Sequence, residues 1–175
     1  MAYRVAVCDD SSEDARYVAR MVQAWASSRD AALQVERFPS AEAFLFHYAE
    51  DQSYDMLLLD IKALEPKLCR MISGSGGEHA KALLQHCEDT QKTVWLRHVV
   101  VPDYTLNYSK LADLADYLKG FSCIERVELL PFHQMGSYKW AAERLHYALQ
   151  DKRTPTGEEM DEARRIFADA GLKVQ

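Results

Sequence analysis

The sequence predicts an α/β fold built on one open five-stranded parallel sheet with helices on both faces. Three observations predict it. Short apolar runs ending in acids or proline alternate with stretches of helical period, and the alternation repeats five times, which favours parallel strands joined by right-handed crossover helices. A chain of 175 residues and 20.0 kDa can bury a sizeable core. No internal repeat or low-complexity segment interrupts the pattern, so residues 1–175 read as a single domain.

Val5 to Cys8 form the first apolar run and suit a buried parallel strand. Ser11 or Ser12 can cap the helix that follows, whose apolar face recurs at Ala15, Val18, Ala19, Val22, Trp25 and Ala26. Leu33, Val35 and Phe38 mark a second strand, and Pro39-Ser40 opens a second helix through Phe44 and Leu45. Met56 to Leu59 is apolar throughout and predicts a central third strand. Pro66 and the loop Ser73 to Gly77 follow, then a helix through Ala80, Leu83, Leu84 and Cys87. Val94 to Val101 predicts strand four, stopped by Pro102. Ser109 is placed to cap a helix carrying Leu111, Leu114, Ala115 and Leu118, and Ile124 to Leu130 predicts strand five, stopped by Pro131. Two more helices are expected over Lys139–Leu149 and Glu158–Ala170, the second ended by Gly171. Leu172 to Val174 is either a short last strand or a tail.

Composition excludes several function classes. With 21 basic against 27 acidic side chains the net charge is −6, which argues against a general nucleic-acid binder. No basic-then-apolar leader opens the sequence and no apolar run approaches the ~20 residues of a membrane span. Cys8, Cys69, Cys87 and Cys123 match no zinc or redox spacing, which reads as reduced thiols in a cytoplasmic protein.

Asp9, Asp10 and Asp60 end strands one and three. In a doubly wound sheet ligands bind at that edge, and three converging carboxylates would hold Mg²⁺ through oxygen. The alternative is three solvated acids beside helix N-termini. The opening Tyr3 to Asp10 together with Tyr54 to Asp60 resembles the first half of a response-regulator receiver domain, over about residues 2–61. That resemblance implies Asp9 and Asp10 as metal ligands, Asp60 as phosphoacceptor, and a histidine kinase as partner. The pattern then breaks. The Ser or Thr that should end strand four is replaced by Val101-Pro102, and the Lys-Pro that should end strand five by Leu130-Pro131, so a phospho-switch would be impaired or absent.

A second resemblance covers about residues 55–174. Leu59-Asp60-Ile61-Lys62, Val94 to Pro102, Ile124 to His133 and Gly136 to Trp140 resemble, in order and spacing, the C-terminal half of pyruvate formate-lyase activating enzyme, a radical S-adenosylmethionine protein on a partial β/α barrel. The resemblance implies that Asp60, Lys62 and His133 help hold S-adenosylmethionine, with Arg97 near the substrate side. It also implies a [4Fe–4S] cluster, for which the Cys-x₃-Cys-x₂-Cys loop is missing, since no two cysteines lie closer than 18 positions. No iron–sulfur cluster is therefore expected. Gly74 to Gly77 reads as an ordinary loop rather than a phosphate cradle.

Taken together, a receiver-like half (1–61) and a barrel-derived half (62–175) predict a flavodoxin-like sheet of order 2-1-3-4-5. The function expected is a non-enzymatic, receiver-like signalling domain with a Mg²⁺ pocket. The alternatives are a small-molecule module using Asp60, Lys62, Arg97 and His133 for an adenosyl or phosphate ligand, and a fold without a ligand. Neither nucleic acid nor membrane is an expected partner, and a monomer or a homodimer is expected.

Overall fold

The computed structural model describes residues 2–8, 12–39, 41–51, 53–54, 56–73, 76–134, 147 and 149–175. The expected acids Asp9 and Asp10, the segment Gly136 to Trp140 and most of the helix expected over Lys139–Leu149 lie outside them. Two compact units, Met1–Leu57 and Leu58–Gln175, divide the chain.

The first unit is a βαβα arrangement: β1 (Ala2–Cys8), α1 (Ser12–Ser28), β2 (Ala32–Phe38) and α2 (Ala41–Glu50). β1 and β2 pair in parallel without a register break, from Ala2 opposite Ala32 to Cys8 opposite Phe38. Among the described side chains of α1, Ala15, Ala19 and Ala26 are buried. Trp25, expected on that buried face, is exposed. Its ring meets Tyr3 edge-on, 5.8 Å between centroids, and carries the Arg29 guanidinium at 5.4 Å. On the other face of β2 lies an aromatic cluster of Phe38, Phe44, Tyr48 and Tyr54. The Tyr54 hydroxyl donates to Glu36 at 2.9 Å, and burial together with that carboxylate pushes its pKa up to about 12. Arg4 ties the cluster together, paired with Glu36 and Asp51 and stacked over Tyr54.

The second unit is built on the three-stranded parallel sheet β3-β4-β5. The strands are β3 (Met56–Asp60), which crosses the unit boundary, β4 (Thr93–Val100) and β5 (Ile124–Pro131). β4 alternates strictly, with Val94, Leu96, His98 and Val100 buried and their neighbours half-buried. The last residues extend this sheet. Val127 and Val174 form a parallel bridge, with the Val127 and Leu129 amides donating to the Lys173 and Gln175 carbonyls, so the C-terminus is held against β5 by a single bridge rather than hanging as a tail.

Helices α3 (Pro66–Ser73), α4 (Glu78–Asp89), α5 (Tyr108–Leu118) and α6 (Gly157–Asp169) complete the unit. α3 was not expected: the sequence marked only Pro66 and, from Ser73, a loop. Pro66 sits at its first position, where a missing N–H costs nothing, and Leu68, Cys69 and Ile72 give it an apolar face. α5 is capped by Asn107, whose side-chain oxygen accepts from the Lys110 amide, and not by Ser109. α6 starts with a reciprocal capping box between Thr156 and Glu159. Glu88 on α4 accepts from Ser122 Oγ and the Cys123 amide, which pull its pKa down to about 2 and fasten the start of β5.

The single five-stranded sheet is therefore corrected. Hydrogen bonds among the described residues make two parallel sheets, β1-β2 and β3-β4-β5. β1 with β2, β3 with β4 and β4 with β5 pair as expected, one crossover bringing each pair together. The remaining link, β1 beside β3, joins strands that are not adjacent in sequence, and alternation of elements does not determine such a pairing. β3 is also not apolar-buried throughout: Leu57 and Leu59 are buried while Leu58 is exposed.

Among the described residues no helix is long and apolar enough to cross a membrane.

Candidate functional site

Three residues singled out in the sequence meet at the C-terminal end of β3. Asp60 Oδ1 accepts from Arg97 Nε at 2.7 Å and Asp60 Oδ2 accepts from Lys62 Nζ at 2.9 Å. The side chains are 32%, 36% and 37% exposed respectively, so the cluster is half-sheltered. Burial raises the Asp60 pKa, but the charges and hydrogen bonds of Lys62 and then Arg97 outweigh it, and the carboxyl titrates below its usual range. The trio carries a surplus positive charge. Among the described residues no partner takes the Nη groups of Arg97 or the remaining ammonium protons of Lys62.

The local backbone explains the placement. The Ile61 amide donates to the Arg97 carbonyl at 3.1 Å, extending the β3–β4 ladder by one residue past Asp60. The Ile61 carbonyl can only accept, so the proton between it and His98 belongs to Nδ1, at 2.8 Å. His98 is 2% exposed, and burial pushes its pKa down, keeping the ring neutral. Among the described residues its Nε2 has no partner. Two successive β4 residues thus hold the backbone between Asp60 and Lys62, while the Arg97 side chain holds the Asp60 carboxylate. His98 received no role in the sequence reading. Strict alternation along β4 was the available signal, since it puts a polar ring on the inward face with Val94, Leu96 and Val100.

Beside the cluster lies a cavity of about 210 Å³, lined by Asp60, Ile61, Lys62, Ala63, Cys69, Gly77 and Ala80. Its wall is fixed by small contacts. The Cys69 thiol donates to the Ala63 carbonyl at 3.0 Å, and Lys81 Nζ donates to the Leu64 carbonyl at 2.6 Å. Gly77, at φ +82°, begins α4 without a side-chain cap, and a Cβ there would stand 2.9 Å from Cys69 Sγ. Only glycine suits both the dihedral and the space.

His133 follows Phe132 beyond the end of β5, is exposed, and is not among the described residues lining this cavity. Asp60 stands at the end of β3 with each carboxylate oxygen taken by a cation, which leaves it poorly disposed toward Mg²⁺. Among the described residues no three His, Cys, Asp or Glu side chains gather as a metal site. Among the described residues the thiols do not fit an iron–sulfur cluster either: no two of Cys69, Cys87 and Cys123 lie closer than 18 positions, and all three are buried. Burial pushes the Cys87 thiol up to about 11 and Cys123 to about 12.

No protein-family model matches the chain. The pyruvate formate-lyase-activating enzyme of Streptococcus mutans is 33% identical over 113 residues, 65% of this chain and 43% of that protein. The enzyme of the same name from Staphylococcus aureus is 32% identical over 125 residues, 71% of this chain and 50% of that protein. This stretch is homologous to part of pyruvate formate-lyase-activating enzyme. The chain spans about half the length of the curated relatives it matches. A solved domain of pyruvate-formate lyase-activating enzyme from Bacteroides vulgatus superposes with a TM-score of 0.62 at 14% identity, covering 97% of this chain and 96% of that one. At that identity the likeness concerns the fold.

These likenesses overturn the receiver reading. None of them is to a receiver domain, and the solved domain aligns over nearly the whole chain, including the segment read as a receiver half. An apolar strand ending in paired acids is common to many βα units, so Val5 to Asp10 carried less family information than its letters suggested. The expectation of a non-enzymatic chain is overturned with it, because the relatives are named as activating enzymes.

Proposed function

We propose that this chain forms part of an activating enzyme of the pyruvate formate-lyase-activating kind, and that the Asp60–Lys62–Arg97 cluster holds the charged end of S-adenosylmethionine. The observation that carries the reading is the convergence of those three side chains beside a cavity, on the Leu59-to-Lys62 segment that resembles the activating enzyme. A surplus cation with unused N–H donors suits a carboxylate, and charge-assisted bonds from Lys and Arg are the strong kind. In this division Lys62 binds the ligand's carboxylate. Asp60 orients both cations and offers its remaining lone pairs to an ammonium or a hydroxyl. Arg97 positions Asp60 through Nε and keeps its two Nη groups for the ligand or for the substrate side. Bound S-adenosylmethionine would supply a sulfonium and an adenosyl group. The described cysteines do not fit an iron–sulfur cluster, so no step through one is assigned to these residues.

Isothermal titration with S-adenosylmethionine tests the reading. Saturable binding is expected that weakens about tenfold or more in Lys62→Gln, as loss of a charge-assisted bond implies. Unchanged binding in both Lys62→Gln and Asp60→Asn would sink it.

A further inference from the structure

The first unit carries a feature that the Asp60 site does not use. A trough of about 780 Å³ is lined by Arg16, Ala19, Arg20 and Gln23 from α1 and by Val35 and Arg37 from β2. Arg16, Arg20 and Gln23 follow an i, i+4, i+7 spacing, so they form one row along a flank of the helix. All three arginines are exposed, and among the described residues none has a hydrogen bond or an ion pair. Elsewhere the same chain pairs its arginines readily: Arg4, Arg97, Arg126, Arg153, Arg164 and Arg165 each meet a carboxylate. Acidic side chains outnumber basic ones, 27 to 21. Three unpaired guanidiniums around one concavity are therefore not a consequence of composition. Arg16 and Arg20, one turn apart, repel one another until an anion lies between them.

We propose that this trough binds an extended acidic peptide segment of a partner protein. Spacing, spread and charge favour that ligand over a free phosphate or a nucleic acid. Arg16 and Arg20 are separated by about 6 Å along the helix axis, at about 1.5 Å per residue. Alternate side chains of an extended strand lie about 6.6 Å apart, so carboxylates at every second position match the arginine row. The basic groups come from one turn of α1 and from β2, with Gln23 a further turn along, a spread that suits a linear ligand better than one compact anion. β2 also has β1 on one side and, among the described residues, no strand on the other, and an unpaired strand edge is where a strand-like ligand adds. The trough holds no lysine, and three guanidiniums in a chain of net charge −6 make a poor track for a phosphate backbone. The planar fork of arginine pairs well with carboxylates.

Fluorescence anisotropy with a dye-labelled Glu-Thr-Glu-Val-Glu peptide tests this on the full chain. Saturable binding is expected, weakening as salt rises from 50 to 300 mM and by about tenfold in each of R16Q, R20Q and R37Q. Far-UV circular dichroism checks that the variants fold, and R20K, which keeps the charge, should lose less than R20Q. The matched Gln-Thr-Gln-Val-Gln peptide should not bind. Three results overturn the proposal: equal binding of the glutamine peptide, undiminished binding by the folded triple variant, or tighter binding of tripolyphosphate or a ten-nucleotide oligothymidylate than of the acidic peptide. All these substitutions lie in Met1–Leu57, so their outcome is independent of the S-adenosylmethionine titration.

Discussion

Replacing Gly77 by alanine should destabilise the protein by about 2–3 kcal/mol, and the size of the effect can be assembled from three glycines. At Gly77 two penalties act together. Its φ of +82° is left-handed, which costs a residue with a Cβ about 1–2 kcal/mol. The new Cβ would also stand 2.9 Å from Cys69 Sγ, inside normal contact, and Cys69 is buried and bonded to the Ala63 carbonyl. Crowding of this kind costs about 1–3 kcal/mol. Against both stands a gain of about 0.4–1 kcal/mol from the stiffer unfolded chain. Gly171 shares the dihedral, at φ +89°, but nothing lies within 4 Å of its Cβ position, so Gly171→Ala should cost about 1 kcal/mol or less. Gly157, first residue of α6, shows neither problem, and Gly157→Ala should be neutral or slightly stabilising. Urea denaturation of the three variants in parallel supplies the test. If Gly77→Ala costs no more than Gly171→Ala, the close approach of α4 to Cys69 is not a structural constraint and the cavity wall has been misread.

Other outcomes are expected from the same structure. Because the folded state holds the Asp60 pKa below its unfolded value of about 3.9, the stability from this ion cluster is present above that pH. It is lost as pH falls through the lower folded value, so the stability gap between wild type and Asp60→Asn should close in acid; a gap that widens there would contradict the assigned direction. Phe167 is fully buried on α6, and Phe167→Ala should cost about 3–5 kcal/mol in denaturant unfolding; a cost under about 1 kcal/mol would mean that α6 is not part of the core. Cys69, Cys87 and Cys123 are buried, and the last two are held in the thiol form by raised pKa values, so a disulfide reagent at pH 8 should modify them only after denaturant is added. Prompt modification of Cys123 in the native protein would refute that burial.

Much of the fold was legible in the chain because parallel βα units advertise themselves. Apolar runs at 56–59, 94–101 and 124–130, separated by helical periods, mark β3, β4 and β5, which pair with one another in sequence order. Three features did not follow that logic. α3 is only eight residues, and a proline that opens a helix looks from sequence like one that ends it. Trp25 is exposed because its ring finds partners in Tyr3 and Arg29 at the surface, a choice that helical period does not encode. Whether β1 and β3 pair is a question of two strands with β2 between them in the chain, and alternation of elements does not answer it. At the candidate site the Asp60–Lys62–Arg97 grouping was accessible, since one strand end and its neighbour supply all three. The part played by His98 was not singled out, because a histidine within an apolar strand could equally have been packed or solvated. The trough was invisible, since Arg16 and Arg20 lie on a helix and Arg37 on a strand, and only the fold brings them to one concavity.

Binding of S-adenosylmethionine by the Asp60–Lys62–Arg97 cluster and its adjoining cavity is tested most directly by an amide chemical-shift titration of the isotope-labelled protein with S-adenosylmethionine. Saturable shifts are expected at Ile61, Lys62, Ala63 and Gly77 and at the Arg97 side chain, all abolished by Lys62→Gln. Shifts confined to residues away from β3 and the start of α4, or no shifts at millimolar ligand, would contradict it.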